Sequence, residues 1–391
     1  MRLAVVTSHP VQYQAPLFRE LSRRCDTHVL FAHRATRADQ AAAGFGVDFD
    51  WDVDLLSGYQ HTFLENVSRT PNLESFAGCD TPGIDEAIGR LAPDAVVLMG
   101  WHLKCYWQAI RAARRRRIPV MVRGDSHLKT PRSRLKRTAK QIVYPIALRA
   151  FDAALYVGEH SRRYWEHYRY PADRMFFSPH CVDNDWFAVR ATPEARAELR
   201  AANGIAPDAK VALFAGKLVP FKRPLDLVAA AGQLARAGYP VTVMIAGAGE
   251  LERATVAAAT EAGVPTVMLG FCNQSRMPAV YAAADVLVLA SDHHETWGLV
   301  ANEALACGRP IVVSDACGCA PDLAADGTAG RTFRCGDVAS LADAIADVRV
   351  APPSRAAIVE RIDRYSIAVA ADGVLAAAQA RARTLRKGVP A

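Results

Sequence analysis

Short apolar runs bounded by turn residues recur along the chain. After most of them, apolar residues return every three or four positions. Buried-strand signals alternating with amphipathic-helix signals predict an α/β protein built on parallel sheets. The first run is Leu3-Ala-Val-Val-Thr7, with a helix expected over 17–24. Further strands are expected at 27–32, 94–99, 118–122 and 153–157, with helices over 84–91 and 106–116. Between 33 and 75 the pattern weakens. There Asp48-Phe-Asp-Trp-Asp-Val-Asp54 alternates acid with apolar, and the whole stretch reads as an edge strand with long loops. A second series of runs lies at 210–215, 241–246, 266–269, 286–289 and 311–314. Its helices are expected over 193–203, 225–237, 277–284 and from about Gly298, with Gly308-Arg309-Pro310 as a stop. An Ala-rich tail, 368–385, reads as one long helix. Two domains follow, divided at about Asp183, and 391 residues is enough for both.

Composition narrows the class. No run of eighteen apolar residues occurs, so no transmembrane helix is expected. The N-terminal run is too short for a signal peptide and is cut by Ser8-His9-Pro10. The nine Cys are therefore expected as reduced thiols in the cytoplasm. Cys317-Gly-Cys319 has no second pair at zinc spacing, and no metal site is expected.

Charge adds one feature. The net charge of +7 is concentrated in 111–149, where many Arg and Lys face a single acid, Asp125. Such a block suits nucleic acid, anionic lipid or an acidic substrate. It lacks the interleaved aromatics of a single-strand binder, so no nucleic-acid partner is expected. From Pro131 to Arg149 the basic residues mix with Leu135, Ile142, Val143, Ile146 and Leu148, a basic amphipathic helix broken or kinked at Pro145. It is either a solvated surface helix or a surface for an anionic membrane leaflet.

The candidate chemistry lies at strand ends, where open parallel sheets bind ligands. Ala290 to Ser314 carries two carboxylates eight positions apart, Glu295 in a loop and Glu303 in a helix. The helix start offers the amides of Gly298, Leu299 and Val300 to an anion. Upstream, Gly216-Lys217-Leu-Val-Pro-Phe-Lys222 places two cations in one loop at a strand end, suited to a diphosphate. Gly247-Ala-Gly249 and Gly270-Phe271-Cys272 close two neighbouring strands. In the first half the loop after the first strand holds His9, Gln12, Tyr13 and Gln14 in place of a glycine-rich dinucleotide fingerprint. Two later strands end at His102 and at Arg123, Asp125 and His127. For each of these the alternative is structural: solvated carboxylates, surface cations, capping or packed histidines.

The string from Glu295 through Trp297-Gly298-Leu299-Val300 to Glu303-Ala-Leu-Ala-Cys-Gly-Arg-Pro-Ile-Val312 resembles the Glu-x7-Glu signature of retaining GT-B glycosyltransferases of family four. The Gly216–Lys222 loop resembles the same family, with Lys217 where Arg is usual, which gives up bidentate phosphate contact. Pro179-His180-Cys181-Val182-Asp183 resembles its interdomain connector, with His-Cys replacing Asn-Gly. His9-Pro-x-Gln-Tyr-Gln resembles a subset of members; the first half otherwise matches weakly.

The resemblance implies a GT-B fold, two Rossmann-like parallel-sheet domains facing a cleft, with the tail helix crossing back to the first. It implies a nucleotide-sugar donor held by the second domain. Lys217 and Lys222 would stabilise the departing diphosphate, Glu295 the donor sugar and Glu303 the ribose. Gly216, Gly247, Phe271 and Cys272 would line the nucleotide. Asp125 and His127 are catalytic candidates; His9, Gln12 and His102 are acceptor or cleft candidates. No cofactor and no metal are expected. The acceptor class is a glycan, a lipid-linked acceptor or a secondary metabolite, and the place is the cytoplasm, with peripheral contact at the inner membrane face through 111–149. A nucleotide-sugar epimerase and a non-catalytic GT-B partner subunit are the competing readings.

Overall fold

A computed structural model describes residues 1–37, 47–130 and 133–386. The chain divides into two units. One comprises Met1–Asp39, Asp54–His180 and Ile367–Ala391; the other comprises Gln40–Val53 and Cys181–Ser366.

The first unit is a seven-stranded parallel sheet. Its strands are β1 (Arg2–Thr7), β2 (Asp26–Phe31), β3 (Gln60–Phe63), β4 (Ala95–Leu98), β5 (Val120–Gly124), β6 (Ala153–Tyr156) and β7 (Met175–Phe177). They lie in the order β3-β2-β1-β4-β5-β6-β7, with Leu3 in register with Thr27 and Ala95. Every residue of β4 is buried, as expected of strands covered on both faces. The helices are α1 (Ala15–Arg24), α2 (Ile84–Leu91), α3 (Lys104–Arg115), α4 (Arg134–Ala147) and α5 (Glu159–His167). In α3, Cys105, Tyr106, Ala109, Ile110 and Ala113 form the helical stripe that packs into the core.

The second unit holds six parallel strands: β8 (Val211–Ala215), β9 (Thr242–Ala246), β10 (Thr266–Gly270), β11 (Val286–Leu289), β12 (Ile311–Ser314) and β13 (Gly330–Phe333). Their order is β10-β9-β8-β11-β12-β13. Around them run α6 (Asn184–Ala188), α7 (Pro193–Ala202), α8 (Pro224–Arg236), α9 (Glu252–Glu261), α10 (Met277–Ala283), α11 (Val300–Ala306), α12 (Ala320–Leu323), α13 (Val338–Val350) and α14 (Arg355–Asp363). The last helix, α15 (Ile367–Arg386), returns to the first unit. There Ser178 Oγ donates to Ala370 O at 2.9 Å and Arg24 pairs with Asp372.

Four expectations are refined. The acid–apolar alternation of 48–54 forms no strand; the edge strand is β3, paired with His28–Phe31. The alternation is used by a loop of the second unit. Phe49 stacks on Phe271, while Asp50 and Asp52 bond to Asn273 and Ser275. The helix expected from Gly298 starts at Val300, because Gly298 has φ +100°, outside the helical region. Pro145 neither breaks nor ends α4, which runs on to Ala147. It falls in the last turn, where its missing N–H removes one helical hydrogen bond. The units divide between His180 and Cys181, within three residues of the boundary expected at about Asp183. Parts of two sequence segments, 38–46 and 131–132 with Pro131 and Arg132, lie outside the described residues.

Helix α4 has no buried residue. Leu135, Ile142, Val143 and Ile146 are 80%, 69%, 54% and 71% exposed. On a 3.6-residue helix these share one outward stripe with Lys136 at its edge, while Lys140 turns to the Tyr144 ring, 4.4 Å from its centroid. Tyr144, on another side, packs against Tyr168. Among the described residues no helix is long and apolar enough to cross a membrane.

Candidate functional site

In the second unit the carboxyl ends of β8, β9, β10 and β11 are tied together by their own backbone. Gly216 N donates to Ala246 O at 2.9 Å, Leu218 N to Ala248 O at 2.8 Å, and Gly247 N to Gly270 O at 2.8 Å. Gly247 is required by this closeness: with φ +153°, a Cβ there would collide with the carbonyl oxygen of Gly216.

Two of these loops meet through charge. Lys222 Nζ donates to Glu295 Oε2, and Ser291 Oγ donates to the same oxygen at 3.0 Å. The two side chains are only 15% and 13% exposed, so Lys222 is not a free surface cation. Asp292 N donates to Phe221 O at 2.8 Å and fastens the loops a second time. Lys217 is partly buried. Burial and the neighbouring Lys222 lower its pKa, and Glu295 opposes them. One carboxylate thus lies near two ammonium groups.

Glu303 lies one turn into α11, 8% exposed. Burial pushes its pKa up to about 7, while hydrogen bonds from Tyr281 and Gln274 act against the rise. Tyr281 Oη donates to Glu303 Oε2 at 2.6 Å. Ala301 is the first amide to bond back into α11, to Gly298 O at 2.9 Å, so the amides of Gly298, Leu299 and Val300 precede the ladder. Trp297 is buried and donates to Asn302 Oδ1 at 2.8 Å, pinning the loop to the helix. Phe271 and Cys272 follow β10, and burial raises the Cys272 thiol.

The first unit is organised differently. Arg123, a strand-end candidate by position, is 4% exposed. Its Nε donates to Ser178 O at 3.2 Å and Ser178 Oγ at 3.1 Å, and its Nη2 donates to Pro179 O. It fixes the segment after β7. Asp125 is partly exposed, with Oδ2 3.7 Å from His180 Nε2. Burial lowers the pKa of His180, Asp125 acts against that, and Arg123 adds to it. His180 also meets the Tyr13 ring edge-on at 5.9 Å. The departure from the family connector therefore brings a buried imidazole to the end of β5. Cys181 is not among the residues with positive φ, so the loop does not need glycine there.

His127 is 2% exposed and its Nδ1 accepts from Lys129 N at 3.2 Å. Beside it, burial depresses His160 to about 4. His9 Nδ1 lies 2.9 Å from Ser8 Oγ. The Gln12 side-chain oxygen is buried with no hydrogen-bond partner among the described residues. His102 is exposed and bonded to Leu73 O at 3.3 Å.

Sequence reasoning missed Tyr281, Gln274 and Ser291, which hold the two glutamates. Ser291, four residues before Glu295, had a local signal; Tyr281, twenty-two before Glu303, had none. It also passed over Asp292, His293 and His294, which each offer one potential metal-ligand atom within 4.8 Å of the others. His294 Nδ1 and Asp292 Oδ1 already share a 2.7 Å hydrogen bond. All nine cysteines are free thiols.

Residues 195–364 match the family described as Glycosyl transferases group 1. A D-inositol 3-phosphate glycosyltransferase of Mycolicibacterium smegmatis is 35% identical over 201 residues, 50% of this chain and 45% of that protein. One from Segniliparus rotundus is 31% identical over 228 residues, 56% of this chain and 49% of its own length. The chain thus spans about half the length of the curated relatives it matches. Among solved structures, a glycosyltransferase of Rickettsia africae superposes with a TM-score of 0.74 at 14% identity, over 97% of this chain and 98% of that one. An Anabaena protein, HepE, in complex with UDP and glucose gives 0.68 at 18% identity, over 99% and 100%. The fold is GT-B, and residues 195–364 are similar to the group 1 glycosyltransferases.

Proposed function

We propose that the protein is a retaining glycosyltransferase that moves a sugar from a nucleoside-diphosphate donor to an acceptor hydroxyl. The observation that carries this is the Lys222–Glu295 pair at the end of β11, with Lys217 beside it. Glu303 follows on the next helix. The HepE protein was also solved with UDP-glucose, the donor class in question.

As the glycosidic bond to the diphosphate breaks, charge grows on the leaving oxygens. Lys217 and Lys222 neutralise it, and a preorganised cation needs no solvent rearrangement to do so. Glu295 favours positive charge at the anomeric carbon. Glu303 accepts from the ribose hydroxyls. The acceptor oxygen bonds to the anomeric carbon on the face the phosphate leaves, and a phosphate oxygen takes the acceptor proton. No protein nucleophile and no metal enter this sequence. Asp125, the partly exposed carboxylate of β5, is the candidate for acceptor contact, and buried His127 for positioning.

The test is calorimetric titration with UDP, GDP, ADP and dTDP, followed by product analysis with the matching sugar nucleotide. Binding of one nucleotide and transfer to an added acceptor supports the reading. Conversion of the donor without an acceptor would mean an epimerase, and no binding would mean a partner subunit.

The outward apolar stripe of α4, with Lys136 at its edge, supports contact with an anionic lipid surface. Such contact would bring the enzyme to a lipid-linked acceptor.

A further inference from the structure

We propose that residues 49–52 form a positioning strap that holds the nucleotide end of the donor site in shape; this rests on the donor reading above. The strap belongs to the second unit, although the residues before Gln40 and from Asp54 belong to the first.

Its grip falls on the loop after β10. Phe49 is 8% exposed, with its ring centroid 4.4 Å from that of Phe271 and 5.0 Å from that of Trp51. Asn273 Nδ2 donates to Asp50 O at 2.7 Å. Ser275 N donates to Asp52 Oδ1 at 3.0 Å, and Ser275 Oγ donates to Asp52 Oδ2. Residues 271, 273 and 275 are thus each fastened to the strap. Between them, Asn273 Oδ1 accepts from Gln274 N at 2.8 Å, and the Gln274 side chain reaches the Glu303 carboxylate. A continuous path runs from Asp50 through Asn273 to Gln274 and Glu303, with Phe49 on Phe271 and Asp52 on Ser275 to either side of it.

The strap touches the loop that would face the base, and that loop carries Gln274, bonded to the carboxylate that would hold the ribose. Without it, the loop loses the fastenings of residues 271, 273 and 275. Its residues are positioning residues for donor binding, acting through Gln274.

The test uses the full chain and whichever of UDP, GDP, ADP or dTDP the wild type binds. Phe49→Ala is expected to weaken that nucleotide by about three- to tenfold, the range of a lost aromatic pair. Donor KM rises similarly, kcat stays within about twofold, and Phe49→Tyr restores binding. Asp52→Asn, a milder change at an exposed carboxylate, is expected to weaken binding by about twofold. The deciding measurement is the cycle with Gln274→Ala. If the strap acts through Gln274, the double variant Phe49→Ala/Gln274→Ala binds no worse than the weaker single variant. Wild-type affinity in both Phe49→Ala and Asp52→Asn, or fully additive losses in the cycle, overturns the strap while leaving the donor reading intact. A wild type that binds none of the four nucleotides overturns both.

Discussion

Lys222 and Glu295, seventy-three positions apart, share a hydrogen bond in which Glu295 Oε2 also receives the Ser291 hydroxyl. The pair joins the loop after β8 to the loop after β11. The cation that would meet the diphosphate is therefore held by the carboxylate that would hold the sugar. Lys222→Ala is expected to lower kcat/KM by about a hundredfold or more, the usual loss of one preorganised donor. Glu295→Ala should lose a similar amount, and the double variant little more, because the two act as a unit. Transfer kinetics on the three variants check this, and full activity in either single variant removes the pair from the mechanism.

The same pair predicts a stability pattern. Removing one partner leaves a charge with reduced solvation, whereas removing both does not. The double variant should therefore unfold at a denaturant concentration closer to wild type than the sum of the two single shifts. Urea unfolding reads this directly.

Glu303 gives a signed pH dependence. Its pKa rises from 4.5 to about 7 on folding, chiefly through burial. The folded state therefore holds this proton more tightly than the unfolded chain. The resulting stability is fully present below pH 4.5 and is lost as pH rises through about 7. Glu303→Gln should match wild type near pH 4 and exceed it above pH 8, by on the order of 3 kcal/mol. Nucleotide binding should fall in the same variant, which separates the stabilising effect from the functional one. Unfolding at the two pH values, with a nucleotide titration, decides it.

Much of this was legible in the chain, for a physical reason. Strands buried on both faces read as unbroken apolar runs, so β4, β8, β11 and β12 stand out without any partner in view. The ends of those strands mark the loops that carry Glu295, Lys217 and Lys222. What was not legible is set by tertiary contact. Nothing local says that Tyr281 reaches Glu303, or that the alternation of 48–54 serves a loop on Phe271 instead of a sheet edge. Arg123 looked like a ligand group because of its place at a strand end, yet its guanidinium is spent on Ser178 and Pro179. The apolar side of α4 was readable as a stripe, but an amphipathic pattern normally faces the core, and here it faces outward.

That outward stripe predicts lipid binding separable from folding. Leu135→Ser/Ile142→Ser/Ile146→Ser changes three side chains that are 80%, 69% and 71% exposed. Exposed substitutions usually shift stability by about 0.5 kcal/mol or less, so the melting temperature should hold. Co-sedimentation with vesicles containing phosphatidylglycerol should fall sharply, and neutral vesicles should bind little in either form. Equal sedimentation of the triple variant and the wild type would make α4 a plain solvated helix.

Arg123 allows a test of structure against catalysis at the end of β5. Its guanidinium sends Nε to Ser178 O and Oγ and Nη2 to Pro179 O, and Ser178 Oγ in turn donates to Ala370 O on α15. Lysine carries the charge but not the planar fork, so it cannot serve these acceptors together. Arg123→Lys is therefore expected to cost about 2 kcal/mol, near the value of a hydrogen bond to a charged group, and Arg123→Ala more. Ser178→Ala, which removes one neutral hydroxyl, should cost about 1 kcal/mol. The order Arg123→Ala, Arg123→Lys, Ser178→Ala in denaturant midpoint, with donor KM unchanged in the folded fraction, marks Arg123 as the clasp between β5, the segment after β7 and the returning helix. A raised donor KM with an unchanged midpoint would instead return Arg123 to the ligand-binding groups.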